Sequence, residues 1–493
     1  MLELTKSRYL SWLQCPKRLW IECNNPAIQP KQSLAQQRII QQGIDVGQLA
    51  WNDFPGGHTI DSRDLQQALI DTQAAITSGC PAIFEASFAW KHLYIKCDIL
   101  LRTGSNAWEL VEVKSATKAK PEYFDDLAIQ IYVLQQVGLN IDRISLQTIN
   151  SKTCAFPDLS NFFNRCDVTD EVMELTNHLD AHSQAALSVM EQVSCPDTNI
   201  GDRCRKPNPC PFQTHCWQHV PQPSIFSIPR LNARKKAELY EQGIVHLMDM
   251  PDTYPLSDNQ REYVNLANER SVRIDLGGIA ALMAELTYPI HFLDFETINP
   301  AIPQFDGLKP YEQYPFQYSC HLLHADGAVE HVEFLHTGTS DPRQVLARSL
   351  ASHLHSKGSV VAYSASFEKG VMQKLAGTFP EFAAPLESAI ARLWDQLDVF
   401  RYHYQHPDFQ GSNSIKKVFP VLCPDRPNYE NLAVRKGDDA QAYWLQAIAL
   451  PDSAKKTRMA QDLKDYCRLD TQAMLDIHFV LQDALKPFQV QNS

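Results

Sequence analysis

The sequence predicts a mixed α/β chain built from several domains, and three observations lead there. The chain has 493 residues, more than one hydrophobic core usually organises. Its 44% hydrophobic and 21% charged residues are ordinary proportions for a folded globular protein and exclude a disordered chain. Short β-rich runs alternate with helical periodicity toward both ends, while the middle carries helical patterns alone. The expected division is residues 1–222, a helical connector over 223–285, and residues 286–493.

The opening stretch, "MLELTKSRYLSWLQCPKRLW", mixes charge with aromatics and has no apolar signal-peptide core. No later stretch reaches the roughly 18 uncharged apolar residues that span a bilayer, so a cytoplasmic protein without membrane contact is expected. "QQRIIQQGIDVGQLA" reads as a helix. "FEASFAWKHLYIKCDILLRTG" and "AWELVEVKSA" read as strands joined by a Gly-containing turn, and "YFDDLAIQIYVLQQVG" as the helix after them. Periodicity stops in "NIGDRCRKPNPCPFQTHCWQHVPQPSIFSIPRLNARKK", where Cys, Pro and polar residues crowd together, which sets the first boundary near residue 222. The connector follows: "NARKKAELYEQGIVHLMDMPD" reads as a helix closed by Gly243 and a short helical turn, and "SDNQREYVNLANERSVRID" as a second helix. From about residue 286, "IHFLDFET", "YSCHLLHA" and "SVVAYSA" read as strands, alternating with helices such as "DPRQVLARSLASHLHS".

A net charge of −12 argues against a basic protein that coats nucleic acid, yet leaves room for a local basic groove or for acidic sites that hold divalent metals. Thirteen cysteines in a chain read as cytoplasmic point to metal or cluster ligation rather than a disulfide framework. The seventeen histidines form no H-E-x-x-H or similar array, and none is assigned to a metal.

Two stretches carry chemistry in the N-terminal part. Asp98 lies in "YIKCDILLR", and Glu112 and Lys114 share a strand face in "LVEVKSA" because the side-chain period is two. Burying acids beside a lysine is costly unless they ligate a metal or pair with one another. A surface ion pair at a strand end is the plainer reading of E-x-K. Cys204, Cys210 and Cys216 are evenly spaced in "CRKPNPCPFQTHC", and Cys15 sits in "SWLQCPKRLW". Three local thiols need a fourth, and spacing leaves Zn²⁺ and an iron–sulfur cluster both open.

An aspartate, a hairpin and then E-x-K, with one cysteine before and three after, resembles the RecB-like PD-(D/E)XK nucleases that carry an iron–sulfur staple, a family including CRISPR-associated exonucleases. The resemblance covers roughly residues 1–220. It implies a restriction-endonuclease-like domain in which Asp98 and Glu112 hold Mg²⁺ or Mn²⁺ and Lys114 orients or activates water. It also implies a [4Fe-4S] cluster on Cys15, Cys204, Cys210 and Cys216, with Cys195 as the substitute ligand. Glu85 in "IFEASF" and Gln130 in "LAIQIYVL" match supporting positions. The family's histidine is missing from "QQRIIQQGIDVGQLA", where Asp45 is the nearest polar candidate, and the tyrosine near Gln130 is at Tyr132 rather than four residues on.

In the C-terminal part, "FLDFETINP" puts Asp294 and Glu296 on one face of an apolar strand. They stand about 7 Å apart along it, within reach of two metal ions about 3.5–4 Å apart. An acid pair facing solvent at a strand end is the alternative. Further acids recur downstream: Glu368 opens a helix after the strand in "SVVAYSASFEKG", and Tyr466 and Asp470 in "YCRLD" stack on one helical face.

In order, "LDFET", "YSASFEKG" and "YCRLD" resemble the three motifs of the DnaQ-like, or DEDD, exonucleases, tyrosine subtype, on an RNase H-like fold. The resemblance covers roughly residues 286–485. It implies 3′-5′ exonuclease chemistry, with Asp294, Glu296, Glu368 and Asp470 holding two divalent metals and Tyr466 positioning the attacking water. Glu368 stands where the family usually has aspartate.

Two more stretches have alternative readings. "FQGSNSIKKVFPVL" offers Lys416 and Lys417 to phosphates, or is an ordinary helix start. Tyr311, Tyr314, Phe316 and Tyr318 read as core, with base stacking as the rival. Together the two resemblances imply a metal-dependent nuclease acting on DNA, in genome defence or repair. A non-catalytic nucleic-acid-binding scaffold and an RNA-processing exonuclease are the competing expectations.

Overall fold

The computed structural model describes residues 3–354 and 356–492, with side chains through Pro487. The chain forms two units, each mixing sheet and helix. The first comprises Met1–Gln32, Gln36–His219 and Pro300–Glu312, and the second Ser33–Ala35, Val220–Asn299 and Gln313–Ser493. Among the described residues no helix is long and apolar enough to cross a membrane.

Seven strands make the sheet of the first unit: β1 (Leu4–Thr5), β2 (His58–Thr59), β3 (Ala82–Trp90), β4 (Leu93–Gly104), β5 (Ala107–Lys114), β6 (Ile141–Ile149) and β7 (Phe163–Asp167). Their order is β2-β3-β4-β5-β6-β7, with β1 beside β4. β4 and β5 pair antiparallel, as the predicted hairpin requires, β3 and β4 are also antiparallel, and β5 and β6 pair parallel. A parallel pair needs a crossover, and α5 (Pro121–Gln136) supplies it. The helices before α5 are α1 (Lys6–Gln14), α2 (Pro16–Asn24), α3 (Leu34–Ala50) and α4 (Leu65–Thr77), and those after it are α6 (Thr169–Thr176), α7 (Leu179–Glu191) and α8 (Gln213–Cys216).

Six central residues of β5 are buried in succession, because both faces of the strand are covered. One face joins a core containing Leu127, Ile131 and Leu134 of α5, and the other a core containing Val46 and Ala50 of α3. The acids of β4 and β5 therefore lie under a helical layer rather than at an open strand end.

In the second unit the predicted connector is helical, with α9 (Ala233–Glu241), α10 (Asp258–Glu269), β8 (Arg273–Ile274) and α11 (Leu276–Met283). Gly243 at φ +80 ends the α9 turn as expected of a helix-closing glycine. The Ser257–Gln260 capping box starts α10. Residues from Ile225 to Ala267 share a small core of their own. The expected three-part division becomes two units, since this segment groups with the C-terminal part and Pro300–Glu312 groups with the first unit.

The main sheet runs through β9 (Ile290–Ile298), β10 (Tyr314–Leu323), β11 (Val329–Leu335), β12 (Val360–Ala362) and β13 (Leu393–Asp395), in the order β11-β10-β9-β12-β13. β9, β10 and β11 are antiparallel, and β12 is parallel to both β9 and β13. β14 (Tyr404–Gln405) pairs with β8. The later helices are α12 (Arg343–His353), α13 (Ser366–Thr378), α14 (Ala383–Ile390), α15 (Ile415–Leu422), α16 (Gly437–Ala449) and α17 (Ala454–Asn492). Leu293 and Phe295 of the central strand enter a core with Leu346, Met372 and Leu386 from α12, α13 and α14. Burying each such side chain stabilises by about 1.5–3 kcal/mol. The alternate residues of β9 then face the other way.

Candidate metal centres

The alternation along β9 answers why a core strand carries acids. With Leu293 and Phe295 committed to one face, Phe292, Asp294 and Glu296 take the other. α17 covers that face: His478 packs on Phe292 with ring centroids 5.5 Å apart, and the Cys467 sulfur lies 3.8 Å from Oδ2 of Asp294. One helical turn of α17 brings Asp470 beside Tyr466. Donor atoms of Asp294, Glu296 and Asp470 all lie within 4.8 Å of one another. Glu368, in the first turn of α13, is buried, and its Oε2 has no hydrogen-bond partner among the described residues. It stands close enough to feel Asp470, and Asp294 in turn feels it, but it lies outside the tight triad.

Electrostatics follow from this crowding. Burial and then Asp470 push the Glu296 carboxyl up to about 8, against Lys416. Burial pushes Glu368 up to about 8, with Asp395 and Asp470 adding to it. Burial holds Asp470 at about 6, opposed by Tyr429 and Lys416. Asp294 is raised well above the usual range by burial and then by Asp470, Glu296 and Glu368. Carboxylates that repel in a dry site are the donor set a divalent cation relieves. Those three donors, with Glu368 beside them, fit one.

Three neighbours complete this centre. Lys416 donates to the Tyr466 hydroxyl oxygen at 2.8 Å and lies over the rings of Tyr429 and Tyr466, 4.9 and 5.0 Å from their centroids. The sequence offered it as a phosphate contact on a loop, and the fold brings it to the acids. Tyr429 donates to Oδ1 of Asp470 at 2.6 Å. Its surroundings, "PNYENL", carry no periodic signal that would have found it. A cavity of about 370 Å³ opens over the triad, bordered by Phe367, Lys436, Asp438 and Gln441. Tyr314, Phe316 and Tyr318 are buried in the sheet, so the core reading applies. Tyr311, in the first unit, donates to the Ser115 carbonyl at 2.7 Å. Lys417 is exposed and reaches Gln410 at 2.8 Å.

In the first unit, Asp98, Glu112 and Lys114 do converge, but with company the sequence did not supply. The Lys114 ammonium lies 2.7 Å from Oε1 of Glu112 and also bonds Asp126. Lys6, in the first turn of α1, reaches Glu112 at 3.2 Å and Asp126 at 3.1 Å. Gln130 donates to Oε2 of Glu112 at 2.9 Å, and the Val113 amide to Asp98 at 2.8 Å. Asp126 is one turn before Gln130 on α5, a spacing that could have flagged it. Burial, then repulsion from Glu112, pushes Asp98 up to about 7. For Glu112 burial acts upward, but Lys114, Lys6 and Gln130 prevail and hold it well below the usual carboxylate range. The two ammonium groups thus already neutralise Glu112 and Asp126.

Glu85 and Asp45 have partners of their own. Glu85 has a left-handed φ of +60, and its carboxylate meets Lys96 at 3.0 Å. Asp45 is exposed and accepts from Gln41 at 2.8 Å. Tyr132 donates to Asp180 at 3.0 Å, apart from the Gln130 cluster.

Cys15, Cys204, Cys210 and Cys216 line one small cavity. Gln14, unmarked in the sequence, ties its elements: its amide nitrogen donates to the carbonyls of Arg203, Lys206 and Asn208 at 2.7, 3.1 and 2.7 Å. Burial pushes the Cys210 and Cys216 thiols up, opposed by Arg18 and Lys17 respectively. Cys195 is exposed; its thiol is pushed up by burial and, in smaller part, by Cys15, and it adds in turn to the rise at Cys216. Among the described residues the acidic triad brings three donors within 4.8 Å of one another, and the thiols form no such group. Four thiols on one small cavity are a donor set that suits either Zn²⁺ or an iron–sulfur cluster.

Comparison with known proteins gives one family match and three relatives. Residues 291–414 match the family described as Domain of unknown function (DUF2779). That span holds Asp294, Glu296 and Glu368 and stops short of Lys416, Tyr466 and Asp470. The chain is 28% identical over 214 residues to "Uncharacterized protein MG366 homolog" of Mycoplasma pneumoniae, covering 39% of this chain and 32% of that protein. It is 27% identical over 217 residues to "Uncharacterized protein MG366" of Mycoplasma genitalium, covering 40% and 32%. "Uncharacterized protein UU173" of Ureaplasma parvum matches at 23% over 254 residues, 47% of this chain and 36% of that protein. The matches thus span about a third of each relative's length.

Proposed function

We propose that this protein is a metal-dependent nuclease that hydrolyses phosphodiester bonds of DNA, with its principal active site at Asp294, Glu296 and Asp470. The observation that carries the reading is the convergence of these three acids, drawn from a central strand and a long helix, with Tyr466 beside them. A five-stranded mixed sheet with the acids on its central strand is compatible with an RNase H-like, DnaQ-like exonuclease domain. The first unit, read as RecB-like PD-(D/E)XK, has Asp98, Glu112 and Lys114 in one cluster, and its four cysteines line one cavity, which supports the reading of a [4Fe-4S] staple.

Mg²⁺ or Mn²⁺ held by Asp294, Glu296 and Asp470, with Glu368 alongside, would supply Lewis-acid polarisation of the phosphate and lower the pKa of water. Burial and then Asp470 push the Tyr466 hydroxyl far up, so it stays protonated and acts as a donor, not a base. Because its oxygen accepts from Lys416, its own proton is available to orient water or a phosphate oxygen. The ammonium of Lys416 offsets part of the negative charge that develops on the phosphate. Tyr429 holds Asp470 in place.

A second reading applies to the first unit alone: a nucleic-acid grip without cleavage. Lys6 favours it, because two lysines neutralising Glu112 and Asp126 leave less demand for a divalent cation. Wild type, Asp98→Ala and Asp294→Ala are to be incubated in Mn²⁺ with end-labelled single-stranded DNA, duplex DNA and RNA. Loss of cleavage in Asp294→Ala is expected; cleavage unchanged there refutes the assignment. Asp98→Ala separates a second nuclease from a grip, and preference for RNA would replace DNA as substrate.

A further inference from the structure

A cavity of about 990 Å³ in the second unit is not part of the acid centre. In a chain of net charge −12, the residues lining it include Arg230, Arg401 and His406 but no aspartate or glutamate. Four segments build it: the loop before α9, the start of α10, the end of β12, and the run 397–415. Their approach is tight. Gly411 has φ +72, and a Cβ there would come 1.9 Å from the Ser227 carbonyl oxygen, so the loop closes the cavity only because residue 411 is glycine. The Tyr363 hydroxyl donates to the Asn413 carbonyl at 2.6 Å, fixing the loop from the other side.

The lining is suited to one chemistry. Arg401 is fixed by Asp398 at 2.8 Å, while Arg230 is exposed and has no carboxylate partner among the described residues. The start of α15 contributes Ser414 and Ile415, and a helix N-terminus favours anionic groups. Tyr402 borders the cavity with 61% of its surface exposed, an aromatic face available to an unpaired base. The volume is at the upper end of the about 300–1,000 Å³ typical of small-molecule sites.

Two chain segments link the lining of this cavity to that of the acid cavity. Ser364 lines it and accepts the Phe367 amide at 3.1 Å, and Phe367 borders the acid cavity. Ile415 lines it, and the next residue, Lys416, bonds Tyr466.

We propose that this cleft binds a few nucleotides of single-stranded nucleic acid, with phosphates at Arg230 and the start of α15 and a base on Tyr402, and delivers the strand to the acid triad. The delivery rests on the nuclease reading; the binding does not. The test is fluorescence anisotropy of labelled dT12 and rU12 in EDTA, using the full chain with Asp294→Asn as background. Arg230→Glu is expected to weaken binding about 10-fold or more at low salt and flatten its salt dependence. Tyr402→Ala should weaken it about 5- to 100-fold, and Tyr402→Phe should retain it. Hydrogen exchange should slow in residues 257–263 and 397–415 when dT12 is added. The DNA and RNA arms identify which strand is preferred. Unchanged affinity in both variants, no protection of these segments, duplex bound as tightly as single strand, or dTMP competing as well as dT12 would overturn the proposal. Strand binding by this cleft in a wild-type chain that cleaves nothing in Mn²⁺ would keep the cleft and reject the nuclease.

Discussion

Replacing Glu296 with Gln should make the metal-free protein more stable while removing its response to metal. Glu296 is buried on β9 between Asp294 and Asp470, and its carboxyl is raised from 4.5 to about 8. A raised carboxyl contributes full stability below the unfolded value, and that contribution is lost as pH climbs through the folded value. The window is therefore about pH 4.5–8. At 1.36 kcal/mol per pH decade the wild type gives up about 3 kcal/mol by pH 7 and about 5 kcal/mol by pH 9 relative to a neutral side chain. Glu296→Gln removes that loss, so its gain should be near zero at pH 4 and grow with pH. For a unit of this size about 3 kcal/mol corresponds to about 6–12 °C in Tm. Scanning calorimetry in EDTA at pH 5, 7 and 9 measures it. Adding Mn²⁺ at pH 8 should raise Tm in the wild type, by about 2.7 kcal/mol equivalent at a hundredfold excess over Kd, and leave Glu296→Gln nearly unmoved. A variant destabilised equally at every pH, or still stabilised by Mn²⁺, would refute the argument that crowded carboxylates make this site.

Three further outcomes follow from the same structure. Lys6→Met leaves Glu112 and Asp126 with one ammonium instead of two, and should destabilise the first unit by about 3–5 kcal/mol in urea unfolding. Cys204→Ser should abolish brown colour and iron content in anaerobically purified protein; colourless wild type carrying zinc would replace the cluster. Tyr429→Phe removes the hydrogen bond to Asp470 and should cost about 10- to 100-fold in metal affinity or cleavage, read as Mn²⁺ dependence of rate.

The central elements were legible because their signals are local. Period-two runs gave β4, β5 and β9, D-x-E placed two acids on one face, and Y-x-x-x-D put Tyr466 and Asp470 on one helical turn. What could not be read depends on distant contacts. Lys6 meets Glu112 across 106 residues, and Gln14 meets Asn208 across 194. Lys416, in the first turn of α15, and Tyr429, from a short turn with no period, reach Tyr466 and Asp470 across 50 and 41 residues of sequence. Glu85 lies on the strand before Asp98, as the resemblance implies, but its left-handed φ and its ion pair with Lys96 have no local signal. Pro300–Glu312 leaves the second unit's sheet between β9 and β10 to group with the first unit, an excursion that a proline-rich loop does not announce.

The most direct test is release of mononucleotides from uniformly labelled single-stranded DNA at pH 8. The account predicts release by wild type in Mn²⁺, none in EDTA, and loss of at least about a hundredfold in Asp294→Asn, since the acids act together. Wild type that releases nothing in Mn²⁺, or Asp294→Asn that releases as much as wild type, would contradict it.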